Sequence, residues 1–144
     1  MQRLLFVFIL SALFLAACAG QSAPAAPASS QLTKVSVPGG SYTNVSATQL
    51  KAMLDKKDFA FVNVHIPYEG EIAKTDAFVP YNEIEKNLDK LPADKNTKIV
   101  LHCRSGRMSA MAAETLVRLG YSNVWDIEGG MIAWEALGLP LKTK

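Results

Sequence analysis

One thiol stands where a nucleophile is needed. The segment His102-Cys103-Arg104-Ser105-Gly106-Arg107-Met108-Ser109 puts a cysteine directly after the apolar stretch Lys98–His102 and directly before a helical pattern, Arg107–Leu119. Gly106 permits a bend in which successive backbone N–H groups turn inward, and a helix starting at Arg107 aims its positive end at the same point. Such a nest stabilises a sulfur anion, and the thiolate is the reactive form of cysteine. Arg104 and Arg107 supply positive charge for an anionic reactant, and Ser105, Gly106, Met108 and Ser109 complete the candidate binding loop. A cysteine that merely packs at a strand end has no use for adjacent Arg, Ser and Gly, so the polar loop favours chemistry over packing.

Other side chains are weaker candidates. His65 follows the apolar run Phe59–Val64 and could serve proton transfer near the thiol, although a hydrogen bond that fixes a loop is the better account of it. His102 adjoins Cys103 and is expected to pack or bond beside the loop. Two histidines and one cysteine scattered in this way make no zinc spacing, so no metal is expected. Phosphatase and arsenate-reductase loops clamp a tetrahedral oxyanion with an arginine six positions after the cysteine; here that position, 109, is serine. A thioredoxin-like exchange lacks its second, resolving cysteine.

The elements that position this loop alternate. Ser46-Ala47-Thr48-Gln49 reads as a capping box opening a helix with Leu50, Met53 and Leu54 on one face. Phe59–Val64 reads as a buried strand, and Asn82 with Glu85 as the start of a helix ended by Pro92. Strand Lys98–His102, helix Arg107–Leu119 closed by Gly120, strand Asn123–Ile127 and helix Met131–Leu137 follow. Strands alternating with helices imply an α/β fold, a parallel sheet with helices on both faces. In such a sheet ligands bind outside the carboxyl ends of the strands, where Cys103 falls. Phe61, Trp125 and Trp134 are expected in the core, and Lys86, Lys90, Lys95 and Lys98 on a solvated face.

The chain of 144 residues has a distinctive start. A largely apolar run, Leu4–Ala17, follows Arg3; at 14 residues it is shorter than the roughly 20 that span a bilayer, and it reads as a signal peptide over 1–17. Leu15-Ala16-Ala17-Cys18 resembles the bacterial lipobox, in which the cysteine is lipidated and becomes the mature N-terminus. The expectation is a protein of the bacterial cell envelope, held to a membrane through lipid on Cys18 and facing away from the cytoplasm. Residues 18–34 then form an Ala-, Pro- and Ser-rich linker, and 35–144 the folded domain. The formal net charge of +2 offers no basic excess to track a phosphate backbone, which argues against a nucleic-acid partner. With Cys18 acylated, Cys103 has no partner in the mature chain, and an unpaired thiol in an exported protein suggests a use.

From about Tyr42 to Leu141 the sequence resembles the rhodanese-like sulfurtransferases. The resemblance rests on CRSGRMS at 103–109, on Leu116-Val117-Arg118-Leu119-Gly120-Tyr121 followed by a strand, and on Glu128-Gly129-Gly130 with Trp134 four residues later. It implies that Cys103 takes a sulfane sulfur from a small anionic donor such as thiosulfate, carries it as a persulfide, and passes it to a thiol or cyanide. It further implies that the amides of Arg104 to Ser109 hold the persulfide, that Arg104 and Arg107 attract the donor, and that no cofactor is needed. The alternative within the same family is an inactive, binding or redox-sensing module. The chain departs from the common pattern at Asn63-Val64-His65, where many members have Asp-Val-Arg. It departs also at Gly70-Glu71-Ile72, usually Gly-His-Ile, and at Met108, often Arg.

Overall fold

A computed structural model describes residues 32–143, so the signal, Cys18 and most of the linker lie outside the described residues. The sheet has six strands: β1 Thr33–Val37, β2 Gly40–Val45, β3 Ala60–Asn63, β4 Ala77–Phe78, β5 Ile99–His102 and β6 Val124–Ile127. Their spatial order is β1-β2-β6-β5-β3-β4, and every neighbouring pair is parallel except β1 with β2. Three α-helices cover it, α1 Ala47–Asp55, α2 Arg107–Arg118 and α3 Gly130–Ala136.

Period-two alternation splits the core into two layers. Ile99 and Leu101 of β5, with Val62 and Val124, pack beneath α2 against Ala112, Leu116 and Val117. Val100, Phe61 and Ile127 face the other way, against Leu50 and Leu54 of α1 and Met131 and Trp134 of α3. The sheet is thus covered on both faces, as the alternation of elements requires. Trp125 is half-buried at the edge of the second layer.

Local signals set most element ends. The Ser46 hydroxyl accepts from the Gln49 amide at 3.2 Å while the Gln49 side chain accepts from the Ser46 amide at 2.8 Å, closing the capping box. At the far end of α2, Gly120 adopts φ +90° and Tyr121 N–H returns to the Leu116 carbonyl at 3.0 Å, the helix stop that only a left-handed residue allows.

Three expectations need correction. The helix expected from Asn82 is two 3-10 turns, Tyr81–Lys86 and Leu88–Lys90, preceded by Pro80 and Asn87 with no side-chain cap. Glu83 departs from helical φ at −125°, and of these turns only Ile84 is buried, so no apolar stripe repays a full α-helix. The linker expected to reach residue 34 ends sooner, because Thr33 and Lys34 pair with Asn44 and Thr43. The β1–β2 hairpin and the two-residue edge strand β4 have no counterpart in the sequence reading.

Candidate functional site

The C-terminal end of β5 delivers Cys103 into a loop closed by Gly106, whose φ of +88° caps α2. The Gly106 N–H donates to Cys103 Sγ at 3.1 Å, and the Ser109 hydroxyl lies 3.4 Å from the same sulfur and 3.1 Å from the Gly106 carbonyl. Cys103 is 1% exposed, and Ser109 is fully buried. The first turn of α2 contains no acidic residue, so nothing there opposes a sulfur anion.

The loop is oriented from behind. Met131 N–H donates to the Cys103 carbonyl at 2.9 Å and Ile132 N–H to the Arg104 carbonyl at 3.0 Å. These N–H groups belong to the first turn of α3 and have no partner within their own helix. With the Cys103 and Arg104 carbonyls drawn toward α3, the Gly106 N–H is left to face the sulfur. Gly130, at φ +55°, passes so close that a Cβ there would collide with the Cys103 carbonyl and sit 2.9 Å from the Gly106 nitrogen. The Gly129-Gly130 pair is therefore part of the site.

Arg104 is half-buried and already engaged. Its Nη1 is 3.0 Å from Glu135 Oε2 and its Nε 3.6 Å from Glu69 Oε2, and the same Glu69 oxygen is 3.3 Å from His65 Nε2. Arg107 and Ser105 are exposed, whereas Met108 is half-buried against the α2 layer. Among the described residues, Arg107 forms no ion pair and is the cation at liberty to meet an incoming anion.

The two histidines occupy different places. His102 is fully buried and turned to the α1/α3 face, with its ring 4.7 Å from that of Phe61 and Nε2 3.0 Å from Thr75 Oγ1. Burial, then the neighbouring His65, pushes its pKa down to about 3, so it stays neutral and contributes no charge to the thiol. His65 is buried beside the loop that follows β3. That loop is clipped by Asn63, which donates to the Gly70 carbonyl at 2.9 Å and accepts from the His65 amide at 3.0 Å. Asn63 thus fills a structural role where many relatives carry aspartate.

Sequence reasoning missed Glu69 and Glu135, which are polar residues like many others on a surface. It missed Asp126 as well, although a carboxylate inside the strand Val124-Trp125-Asp126-Ile127 was a visible anomaly. Asp126 is 3% exposed, and its Oδ1 has no hydrogen-bond partner. Burial raises its pKa to about 7, with Ser109 and the Ile127 amide acting in the opposite direction.

A mostly parallel α/β sheet carries a buried thiol at the tip of a central strand, cradled by a loop and a helix N-terminus. The family profile described as the rhodanese-like domain matches residues 46–137, and the chain belongs to that family. A sulfurtransferase of Allochromatium vinosum is 34% identical over 93 residues, covering 62% of this chain and 83% of the relative. The tRNA uridine(34) hydroxylase of Erwinia tasmaniensis is 31% identical over 110 residues, covering 69% of this chain but only 31% of that protein. The chain thus spans under a third of the hydroxylase's length. The crystal structure of a rhodanese-related protein from Thermoplasma volcanium superposes with a TM-score of 0.60 at 30% identity, covering 70% of this chain and 98% of that one.

Two predictions follow from this geometry. Gly130→Ala should cost about 2 kcal/mol of stability through strain and collision, and should slow alkylation of Cys103 because the loop must move; denaturant unfolding and iodoacetamide kinetics check both. The second concerns pH. Asp126, raised from 3.8 to about 7 on folding, contributes stability that is full below the lower value and lost as pH rises through the upper. His102, lowered from 6.5 to about 3, contributes stability that is full above the upper value and lost as pH falls through the lower. Across the shared window, from about 4 to 6.5, the two oppose each other. Relative to wild type, Asp126→Asn should gain stability as pH rises through that window, by up to about tenfold in the unfolding constant per pH unit, and His102→Gln should lose it.

Proposed function

We propose that the protein is an exported sulfurtransferase that moves a sulfane sulfur from a donor such as thiosulfate, through a Cys103 persulfide, to a thiol or cyanide. The observation that carries this reading is the Gly106 N–H at 3.1 Å from Sγ, in a loop whose carbonyls are drawn away by α3. The Cys103 thiolate attacks the outer sulfur of thiosulfate; a new S–S bond forms, the bond to the sulfite group breaks, and sulfite leaves with the electron pair. The terminal sulfur then bears the negative charge, which the loop amides and the positive end of α2 stabilise. Attack by cyanide or a thiolate on that sulfur forms thiocyanate or an acceptor persulfide and restores the Cys103 thiolate. No metal or redox cofactor enters these steps. Arg107 is the first contact for the anionic donor, and Arg104 a second one that must leave or share Glu69 and Glu135.

The same reading puts the domain at the bacterial cell envelope, tethered through lipid on Cys18, with the chain between Cys18 and β1 as spacer. No helix among the described residues is long and apolar enough to cross a membrane. The near-neutral charge of +2 speaks against tRNA as the substrate, despite the hydroxylase relatives. A second reading, a docking or redox-sensing module, draws its support from the double engagement of Arg104, and the 1% exposure of Cys103 favours its docking form.

Mass measurement of the domain after incubation with thiosulfate or polysulfide separates the two readings. Transfer chemistry adds one sulfur atom to wild type, removable by cyanide or a small thiol, and adds none to Cys103→Ser. Oxidation by peroxide with no sulfur gained from any donor establishes the sensing module instead. The location is checked separately: wild type should sediment with membranes and carry acyl mass at Cys18, whereas Cys18→Ala should fractionate as a folded, unanchored chain.

A further inference from the structure

The hydroxyl of Ser109 has one proton and more than one claimant. Cys103 Sγ lies 3.4 Å away and the Gly106 carbonyl 3.1 Å away. A third claimant is the carboxyl of Asp126, on which Ser109 acts as a hydrogen-bonding side chain. All three side chains are buried in the layer beneath α2, where water does not compete. Asp126 stands in β6 beside Leu101 of β5 and Asn44 of β2, on the face shared with Val124. Its Oδ1 is unpartnered, and so is Oδ1 of Asn44 on the neighbouring strand. Two buried acceptors side by side lack a proton between them, and a neutral carboxyl is the group that supplies one.

The groups that act on Asp126 are few. From β2 come Asn44 and Tyr42, whose phenol is pushed up by burial, then by Asp126 and by Glu114 of α2. From α2 comes Ser109, from β6 the Ile127 amide, and from the chain after β6 Glu128, which disfavours the carboxylate. Among the described residues no cation pairs with Asp126. Every charged neighbour therefore pushes it toward the neutral form.

We infer that Asp126 is a positioning residue that decides, through Ser109, whether the sulfur of Cys103 receives a hydrogen bond. As a carboxylate it takes the Ser109 proton for itself and sets a second negative charge near the sulfur. As a neutral acid it has no such claim, and Ser109 donates to the thiolate or persulfide. No bond between heavy atoms is made or broken in the exchange; one proton passes between a solvent hydronium or water and the Asp126 carboxyl, and the Ser109 hydroxyl rotates. A negative charge on the sulfur and one on Asp126 disfavour each other. The persulfide half rests on the sulfurtransferase reading, whereas the thiolate half does not.

The test is the pH profile of iodoacetamide alkylation at Cys103, which requires no sulfur donor and so stands apart from the transfer assay. Asp126→Asn should move the midpoint down by about one pH unit, near tenfold in rate on the acid limb. In a Ser109→Ala background the same substitution should move it far less, because its route to the sulfur is gone. Equal shifts in both backgrounds mean that Asp126 acts by charge alone and overturn the proposal, as does no shift in either. Infrared difference spectra of wild type test it without a variant: a carboxylic C=O band should grow when the pH falls through neutrality and again when Cys103 is persulfidated. A carboxyl that stays ionised throughout also overturns it.

Discussion

The backbone of residues 103–106 can face the sulfur with N–H groups only because its carbonyls have somewhere else to go. A peptide chain in a tight loop carries donors and acceptors in equal number, and in a buried site each acceptor left unpaired costs about 1–3 kcal/mol. Here the first turn of α3, whose N–H groups have no partner in their own helix, takes the Cys103 and Arg104 carbonyls. Gly130 makes the approach possible by having no side chain to interpose. The site is thus assembled from two helix N-termini, one receiving the sulfur and the other holding the loop.

Charge around this core is arranged in a graded way. The sulfur sees the Gly106 amide and the Ser109 hydroxyl at contact distance, and the guanidinium of Arg104 is shared between Glu69 and Glu135. A fully compensated arginine contributes little field until something displaces a carboxylate. An exposed ion pair of this kind is worth at most about 1 kcal/mol, so the Arg104 guanidinium is held loosely. Arg107, by contrast, faces solvent and forms no ion pair among the described residues.

Much of this was written locally in the chain. The cysteine loop, the capping box at Ser46 and the Gly120 stop each depend on residues within a few positions of one another, and each was legible. Gly129-Gly130 could be marked as a motif, but its purpose could not be read, because the carbonyls it approaches lie at the end of another strand. The same holds for His102: adjacency to Cys103 in sequence suggested the loop, whereas alternation along β5 sends its ring to the opposite face of the sheet. The β1–β2 hairpin escaped because Thr33–Val37 is polar and largely exposed, paired along one edge only. The 3-10 turns escaped because Asn82 and Glu85 mimic a helix start that no buried stripe supports.

Asp126 shows the limit of such reading from the other side. A carboxylate in a central parallel strand contradicts every local rule for burial, and the strand forms regardless, since its other side chains and its ladder to β2 and β5 fix it. What makes the contradiction tolerable is topology. At the carboxyl ends of parallel strands the chain leaves the sheet for helices whose first N–H groups are unpaired, so donors converge there and acceptors are welcome. Asn44, Asp126 and Cys103 all lie at that end, on strands that are neighbours in space and remote in sequence. At Asp126 itself the donors run short, since its Oδ1 and that of Asn44 have no partner, and burial resolves the conflict by pushing the acid toward its neutral form.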